Sequence, residues 1–306
     1  MTSSTGPGST PGEGAATARG SSPGALTSVL VLGGTGKTGR RVAEELRARG
    51  LTPRVASRSA PVRFDWGDRT TWEPALSGAQ AVYIVESDGP GAAARLRAFV
   101  KTAAEQGVRR LVLLSARVWA ELDDDSGLAS ERAVRESGLE WTILRPTWFA
   151  QVFSEVALFS SVLTGGELRL PTGQGREPFI DLADLAEVAA VALTEDGHAG
   201  ETYVLSGPRA LSVGEAVAEV SWAAGRPLRF TAVTEDEYRE DLASRGYPPA
   251  FADGALTLFR HIREGRGEGV TDGVRRALGR EPRDFSEYVR RTDFSVVDRR
   301  GGNGSG

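Results

Sequence analysis

Short apolar runs alternate with amphipathic segments through the first half of the chain. The runs, each of a length suited to one strand, lie at 29–32, 54–57, 62–66, 81–85, 110–115 and 141–145. Between them apolar residues recur every three or four positions, as Leu96, Phe99 and Val100 do, which is typical of a helix packed on one face. This regular alternation predicts an α/β fold built on a doubly wound parallel sheet.

The first run ends in a glycine-rich turn. Residues 33–39 read Gly-Gly-Thr-Gly-Lys-Thr-Gly, after an apolar strand and before an amphipathic helix. The G-x-G-x-x-G spacing permits a tight turn, close approach of backbone amides to a pyrophosphate, and close packing of helix on sheet. We therefore expect a dinucleotide site with contacts from Gly33, Gly34, Thr35, Gly36, Lys37, Thr38 and Gly39.

The end of the second strand bears on the choice of dinucleotide. An acidic residue there would bind the adenosine ribose of NAD, whereas an arginine favours the extra phosphate of NADP. The strand ends in Ser57 and Arg58, and no acid follows before Asp65. A guanidinium and a hydroxyl suit a phosphate, so the sequence favours NADP(H). The alternative is that Arg58 is a solvated surface residue.

Other cofactor contacts are expected where later strands end. Asp65 and Trp66 follow the third strand, where a carboxylate and a ring suit the amino group and the face of an adenine. The alternative for this pair is a strand-end turn with a core tryptophan. The carboxyl ends of parallel strands open on the ligand crevice, and the contacts expected there are Val85, Glu86, Ser115 and Pro146.

Composition excludes several classes of function. The chain has 306 residues and no cysteine, which excludes disulfides and thiolate catalysis. Its two histidines, His198 and His261, are interpreted as surface or satisfied core residues, and no metal site is expected. A net charge of −4 argues against nucleic-acid binding. No signal peptide and no membrane-spanning apolar run is found, so a cytoplasmic location without membrane contact is expected.

Five segments together resemble one family. They are residues 33–39, Val-Ala-Ser-Arg-Ser at 55–59, Phe-Asp-Trp at 64–66, Leu-Leu-Ser-Ala at 113–116 and Leu-Arg-Pro-Thr-Trp-Phe at 144–149. They resemble the NmrA-like branch of the atypical short-chain dehydrogenases/reductases, and within it most of all the festuclavine/agroclavine dehydrogenase-like reductases of ergot alkaloid biosynthesis. The resemblance implies a Rossmann-like domain that binds NADP(H), an oxidoreductase of secondary metabolism, and a small second lobe over the active site.

The chain divides into four parts on these grounds. Residues 1–25 and 296–306 consist of small and polar residues and are expected to be disordered tails. Residues 26–155 are expected to form the NADP-binding Rossmann domain. Residues 156–295 are expected to form a smaller α/β substrate lobe that is interleaved with late strands of the main sheet.

The standard catalytic pair of the wider superfamily is missing from the sequence. In Tyr-x-x-x-Lys the lysine lowers the pKa of the tyrosine, so that the phenol exchanges a proton with the substrate. Lys37 and Lys101 are the only lysines, and neither follows a tyrosine at this spacing. Three hypotheses stay open: hydride transfer to an iminium carbon that needs no proton, proton donation by Ser115, Glu131 or water, and NADP binding without chemistry in a redox-sensing regulator.

Aromatic residues that follow the fifth and sixth strands suggest a substrate pocket. Trp119, Trp148 and Phe149 are expected to line it, whereas Phe153 is expected in the core. The acidic segment 121–125 either is a solvated loop or attracts a cationic substrate. The predicted function is the NADPH-dependent reduction of a small hydrophobic imine, iminium or related electrophile. The oligomeric state is not predicted.

Overall fold

The computed structural model describes Met1, residues 28–86 and residues 89–294. The expected tails, apart from Met1, lie outside the described residues. Eleven strands occur in the described part of the chain: β1 (Val29–Leu32), β2 (Arg54–Ser57), β3 (Val62–Arg63), β4 (Ala81–Val85), β5 (Arg110–Leu114), β6 (Glu140–Pro146), β7 (Glu167–Leu170), β8 (Arg176–Glu177), β9 (Glu201–Leu205), β10 (Leu211–Ser212) and β11 (Arg229–Ala232).

Seven of these strands form the central sheet, in the order β3-β2-β1-β4-β5-β6-β9. Every neighbouring pair in this sheet is parallel. The predicted α/β fold with a doubly wound parallel sheet is therefore confirmed. The strand order reverses between β1 and β4, and ligands of such sheets bind in the crevice at that point, beyond the carboxyl ends of the strands.

The helices of the described residues follow the strands in the expected alternation. They are α1 (Lys37–Ala48), α2 (Trp72–Leu76), α3 (Ala92–Glu105), α4 (Arg117–Glu121), α5 (Asp125–Arg135), α6 (Val152–Glu155), α7 (Ala157–Ser160), α8 (Val162–Gly165), α9 (Leu182–Thr194), α10 (Val213–Ala224), α11 (Glu235–Ser244), α12 (Pro249–Arg263), α13 (Gly273–Leu278) and α14 (Phe285–Arg291). None of them is long and apolar enough to cross a membrane.

Buried side chains form a core on each face of the sheet. On one face, residues of α1, α9 and α13 pack on the strands, with Val42, Leu185 and Val274 fully buried among them. On the other face, α2, α3 and α5 cover the strands, and Trp72 and Phe99 belong to that core. Both faces are thus covered, which explains why the central strands are apolar throughout rather than alternating.

A third core belongs to the smaller lobe, which the chain enters after β6. Helices α6–α8, α10–α12 and α14 surround it, together with the β7–β11 and β8–β10 strand pairs. Phe153 is fully buried in this core, as the sequence predicts. Trp148 and Phe149 are only partly buried and pack against the same core. The lobe therefore begins directly at the carboxyl end of β6, beside the ligand crevice.

Candidate active site

The glycine turn joins β1 to α1 in a conformation that requires glycine. Gly33 has a φ of +60°, and a Cβ on Gly39 would collide with the backbone carbonyl of Gly33. Gly36 caps α1 without a side-chain hydrogen bond, so the first backbone N–H groups of the helix are available to donate to a ligand. Thr35, Gly36 and Lys37 are exposed. The turn therefore fits a pyrophosphate, which binds to backbone amides at a helix N-terminus.

The remaining residues of the turn have packing roles. Gly34 is buried, and a Cβ there would meet Val55 of β2 at 2.5 Å. Thr38 is only 6% exposed, on the first turn of α1. A Cβ on Gly33 would approach Val85 of β4 to 3.3 Å. The turn thus lies tightly against the neighbouring strands, which holds its exposed part in place.

Ser57 and Arg58 lie together at the end of β2. The Ser57 hydroxyl oxygen accepts a hydrogen bond from the Ala60 amide at 3.0 Å, which leaves its own proton free to donate. Arg58 is exposed and has no ion-pair partner among residues 28–86 and 89–294. An arginine and a hydroxyl donor beside the glycine turn fit the 2′-phosphate of NADP.

Asp65 and Trp66 are mainly engaged in the structure of their own turn. Strand β3 ends at Arg63 rather than at Trp66, because the Asp65 carboxylate accepts the Gly67 amide at 2.8 Å and turns the chain. The Trp66 indole donates to the Val85 carbonyl at 3.1 Å and contacts Phe99 edge-on. These contacts match the alternative of a strand-end turn with a core tryptophan, and contact with an adenine stays a prediction.

Two of the expected crevice residues are linked through α5. The Glu86 carboxylate accepts a hydrogen bond from the Ser130 hydroxyl at 2.8 Å. The Ser115 hydroxyl donates to Glu131 of the same helix at 2.7 Å. Helix α5 therefore fixes side chains at the ends of both β4 and β5. Their contacts with the cofactor stay predictions.

Glu131 is fully buried and is surrounded by donors. Arg145 binds both of its oxygens, at 2.8 and 2.6 Å, and Arg135 binds one of them at 3.1 Å. Burial alone would raise the pKa of Glu131, but the hydrogen bonds from Arg145 and Ser115 and the charges of Arg145 and Arg135 outweigh it and lower the pKa. The ionised carboxylate is thus the stable form.

This environment does not suit a proton donor. An ionised Glu131 has no proton to give, and the Ser115 proton is directed to Glu131 and away from a ligand. The expectation that Glu131 donates a proton is therefore opposed by its surroundings, whereas Ser115 keeps lone pairs that can accept a hydrogen bond. A catalytic part for either residue stays a prediction.

A cavity of about 290 Å³ opens beyond the carboxyl ends of β5 and β6. Ser115 and Pro146 border it at the strand ends, and Trp119, Trp148 and Phe149 form much of its wall. The structure thus brings together all three residues predicted to bind substrate, although substrate binding itself stays a prediction. Trp148 stacks on Phe259 with ring centroids 5.8 Å apart, and this contact holds its ring in place.

The same cavity has a polar end that the sequence did not reveal. Arg117 and Glu121 lie one turn apart on α4, Glu177 comes from β8 and His261 from α12. Arg117 binds Glu121 at 3.1 Å and Glu177 at 3.4 Å, and the His261 Nε2 lies 2.8 Å from Glu121. Arg117, Glu177 and His261 are buried. We call these four residues the polar cluster.

Glu177 differs from Glu131 in its protonation. Burial raises its pKa to about 7, against the charge of Arg117 and a hydrogen bond from the Trp148 amide, and the nearby charge of Glu121 adds to the increase. The Trp148 amide lies 3.2 Å from Glu177 Oε1. About half of the Glu177 carboxyl groups therefore hold a proton at neutral pH, within a cavity bordered by aromatic rings.

His261 corrects one of the expectations drawn from the sequence. His198 is satisfied, since its Nδ1 lies 2.9 Å from the Tyr203 hydroxyl. The Nδ1 of His261 is buried without a hydrogen-bond partner in the described part of the chain. A buried polar atom without a partner costs about 1–3 kcal/mol, so His261 is not simply a satisfied core residue.

The acidic segment 121–125 is mostly structural. Asp124 caps α5 through hydrogen bonds from the Ser126 and Gly127 amides, each at 2.9 Å. The Ser126 hydroxyl also donates to the Asp124 carboxylate, at 2.6 Å. This bond, together with the two bonds from the amides, lowers the pKa of Asp124. Within this segment the cavity lining includes Glu121. Across the described residues no group of three or more histidine and acidic side chains is arranged to hold a metal ion.

Comparison with known proteins identifies the family. A family model described as NAD(P)H-binding matches residues 33–196, which is more than half of the chain. The chain belongs to this NAD(P)H-binding family. The match spans the glycine turn, the ends of β2, β4, β5 and β6, and the cavity wall up to Glu177.

Relatives and solved structures agree with this assignment. The uncharacterized oxidoreductase YesF of Bacillus subtilis is 35% identical, over 85% of this chain and 93% of the relative. Agroclavine dehydrogenase of Claviceps purpurea is 31% identical, over 85% of this chain and 96% of the relative. The Citrobacter sp. triphenylmethane reductase complexed with NADP(H) is similar in fold, with a TM-score of 0.69, 20% identity and coverage of 86% of this chain and 98% of that chain.

These findings confirm several expectations. The predicted kinship with the NmrA-like reductases of the clavine dehydrogenase type is confirmed, since a dehydrogenase of that type matches along nearly its whole length. The Rossmann-like fold and the expectation of a nicotinamide dinucleotide cofactor are confirmed as well. The chain is thus a member of a family of NAD(P)H-dependent oxidoreductases.

Proposed function

We propose that this protein is an NADPH-dependent reductase of a small hydrophobic imine, iminium or related electrophile, acting in secondary metabolism. The observation that carries the proposal is the cavity beside Ser115, which has aromatic walls and a polar cluster at one end. Aromatic walls suit a flat apolar ring system, and a carboxyl group inside them suits a basic or cationic nitrogen. A protein that only sensed the redox state of the cofactor would need neither feature.

The residues of the chain have distinct parts in this proposal. When bound, the nicotinamide dinucleotide supplies a hydride. The turn at 33–39 holds the pyrophosphate through backbone amides. Ser115 accepts a hydrogen bond from a group at the strand end, because its own proton is directed to Glu131. The rings of Trp148 and Phe149 exclude water and orient the substrate.

The preference for NADP over NAD rests on the end of β2. Arg58 is exposed, and the Ser57 hydroxyl has a proton to donate. The Ser57→Ala/Arg58→Ala double variant should bind NADPH about tenfold more weakly or worse and leave NADH binding unchanged. Arg63→Ala, on the neighbouring strand with a surface contact to Asp68, is the matched control. Unchanged NADPH affinity in the double variant would rule out this cofactor assignment.

The names of two relatives support the choice of chemistry. The relatives include agroclavine dehydrogenase and festuclavine synthase I, which are of the type of ergot alkaloid reductase that the sequence resembles. This chain is 29–31% identical to them, and their ligands are transferred here only as a proposal.

A panel of cyclic imines and iminium salts, assayed for oxidation of NADPH, tests the proposed function. Reduction of at least one member of the panel is expected, and replacing Trp148 with alanine should raise its KM because the stacked wall is lost. If no member accelerates NADPH oxidation while NADP and NADPH bind with clearly different affinities, the protein is a redox-sensing regulator and the reductase proposal is overturned.

A further inference from the structure

Two members of the polar cluster are nearly inaccessible side chains that border a cavity with mainly apolar walls. Glu177 is 2% exposed and His261 is 4% exposed, and both border the cavity that Trp148 and Phe149 line. Buried polar groups are costly unless they are paired. Each residue is held by the protein through one polar atom, but Oε2 of Glu177 and Nδ1 of His261 have no hydrogen-bond partner among the described residues. Their position beside the cavity therefore indicates a task toward the molecule that occupies it.

The two oxygens of Glu177 have different surroundings. Oε1 receives the Trp148 amide at 3.2 Å and Arg117 at 3.4 Å. Among the described residues no hydrogen bond falls on Oε2, which lies 2.8 Å from the position that a Cβ on Gly267 would take. A carboxyl group anchored through one oxygen carries its proton on the other, where it can donate. Glu177 is thus oriented by the protein at Oε1 and available to a ligand at Oε2.

The charges around Glu177 balance only when it is protonated. Arg117 is positive and Glu121 is negative, and both face Glu177 from α4. His261 contacts Glu121 through Nε2, and if Nε2 carries the proton, Nδ1 is left as an acceptor. The cluster is therefore neutral with a protonated Glu177 and carries one negative charge without that proton. A cation formed in the cavity would restore the balance.

Building on the proposed reductase function, we propose that Glu177 is a catalytic acid that protonates the neutral nitrogen of a cyclic imine bound in this cavity. The O–H bond at Oε2 breaks with its electron pair remaining on oxygen, and an N–H bond forms on the substrate. The new N–H of the iminium then pairs with the Glu177 carboxylate. Reduction consumes the hydride of the proposed cofactor, and solvent returns one proton to Oε2 after product release.

Two probes with one skeleton test this proposal through activity. They are 3,4-dihydroisoquinoline, a neutral imine, and its N-methyl iminium salt, which needs no proton. In Glu177→Gln, kcat/KM for the imine should fall on the order of a hundredfold at neutral pH and recover toward acid pH, where the imine arrives already protonated. The N-methyl salt should keep its kcat and lose only affinity. Glu167→Gln, which removes a surface ion pair with Arg229, is the control and should leave kcat/KM for both probes unchanged.

A binding measurement without cofactor tests the proposed role of Glu177 independently of the proposed reductase function. When the N-methyl salt binds at about pH 6, wild-type protein should release close to one proton because Glu177 must ionise, and Glu177→Gln should release none. Calorimetry in two buffers of different ionisation enthalpy measures this release. Equal proton release in both proteins, or an unchanged pH profile in Glu177→Gln, overturns the role of Glu177. Proton release without reduction of either probe overturns the proposed function instead.

Discussion

Glu131 and Glu177 are both buried carboxyl groups near the same cavity, yet their surroundings shift their pKa values in opposite directions. Glu131 receives Arg145 on both oxygens, together with Arg135 and the Ser115 hydroxyl. Glu177 receives one amide and one arginine at 3.4 Å, and that arginine also binds Glu121. Burial alone does not decide the pKa of a carboxyl group. The number of charged donors aimed at it does.

The two sites also differ in what they can contribute. Glu131 lies behind Ser115 and fixes the direction of its hydroxyl proton, which is a positioning task. Glu177 borders the cavity itself and keeps an oxygen without a described partner. A pair of titratable groups with pKa values driven apart is the arrangement by which enzymes assign acid and base roles. Three substitutions test this contrast.

The largest effect is expected from Arg145→Met. The variant leaves the buried charge of Glu131 largely unpaired, which should cost about 3–5 kcal/mol in the free energy of unfolding. Because the pKa of Glu131 is lowered in the folded protein, the ionised side chain stabilises the fold above the ordinary glutamate pKa, and this stabilisation is lost as the pH falls. The difference in free energy of unfolding between the variant and the wild type should therefore shrink in acid. Urea unfolding over a pH series measures both effects.

Arg132→Met is the matched control for this experiment. Arg132 lies on the same helix as Glu131 but pairs with Asp125 at the surface, so its loss should cost less than about 1 kcal/mol. If the free energy of unfolding falls by the same small amount in both variants, Arg145 does not hold Glu131 ionised and the contrast between the two carboxyl groups fails.

Glu177→Gln should stabilise the protein relative to wild type at and above neutral pH. The pKa of Glu177 is raised to about 7, so the folded protein binds this proton more tightly than the unfolded chain. The stabilisation that this proton gives the wild-type protein is complete below the ordinary glutamate pKa. It is lost as the pH rises toward 7, by about 3 kcal/mol, whereas the neutral glutamine side chain has no such loss. If the free energies of unfolding of the two proteins change with pH in parallel from pH 5 to pH 8, the pKa of Glu177 is not raised.

A smaller effect is expected from Gly267→Ala. A Cβ at this position would lie 2.8 Å from Glu177 Oε2 and 2.9 Å from the Arg117 guanidinium. The crowding should cost about 1–3 kcal/mol and weaken imine binding without changing NADPH affinity. Gly269→Ala is the control, since nothing lies within 4 Å of its added Cβ. Equal imine affinity in both variants would show that Oε2 does not face the substrate.

The parts of the fold that the sequence predicts are those set by local patterns. The apolar runs, the glycine turn and the helical spacing are each contained within a few residues, and the structure places strands β1, β2 and β4 at the predicted bounds. Trp148 and Phe149 could be assigned to a pocket because they follow directly after the end of a central strand. The third strand was predicted too long, because the turn at Asp65 depends on a side-chain hydrogen bond.

The polar cluster could not be predicted in the same way. Arg117 and Glu177 are 60 residues apart, and Glu121 and His261 are 140 residues apart. No local pattern connects them, because α4, β8 and α12 meet only when the smaller lobe packs beside the sheet. A signal was available for Arg117 alone, which stands two positions after Ser115 on the crevice side of β5.

Direct titration of the two carboxyl groups tests the central contrast most directly. Glutamate labelled with ¹³C at the side-chain carboxyl gives one resonance per residue, and Glu131→Gln and Glu177→Gln assign the two that matter. We expect the Glu177 resonance to titrate with a midpoint near 7 and the Glu131 resonance to titrate below the usual glutamate pKa. A Glu177 resonance that is fully ionised at pH 6, or a Glu131 resonance that titrates near neutrality, would contradict the account.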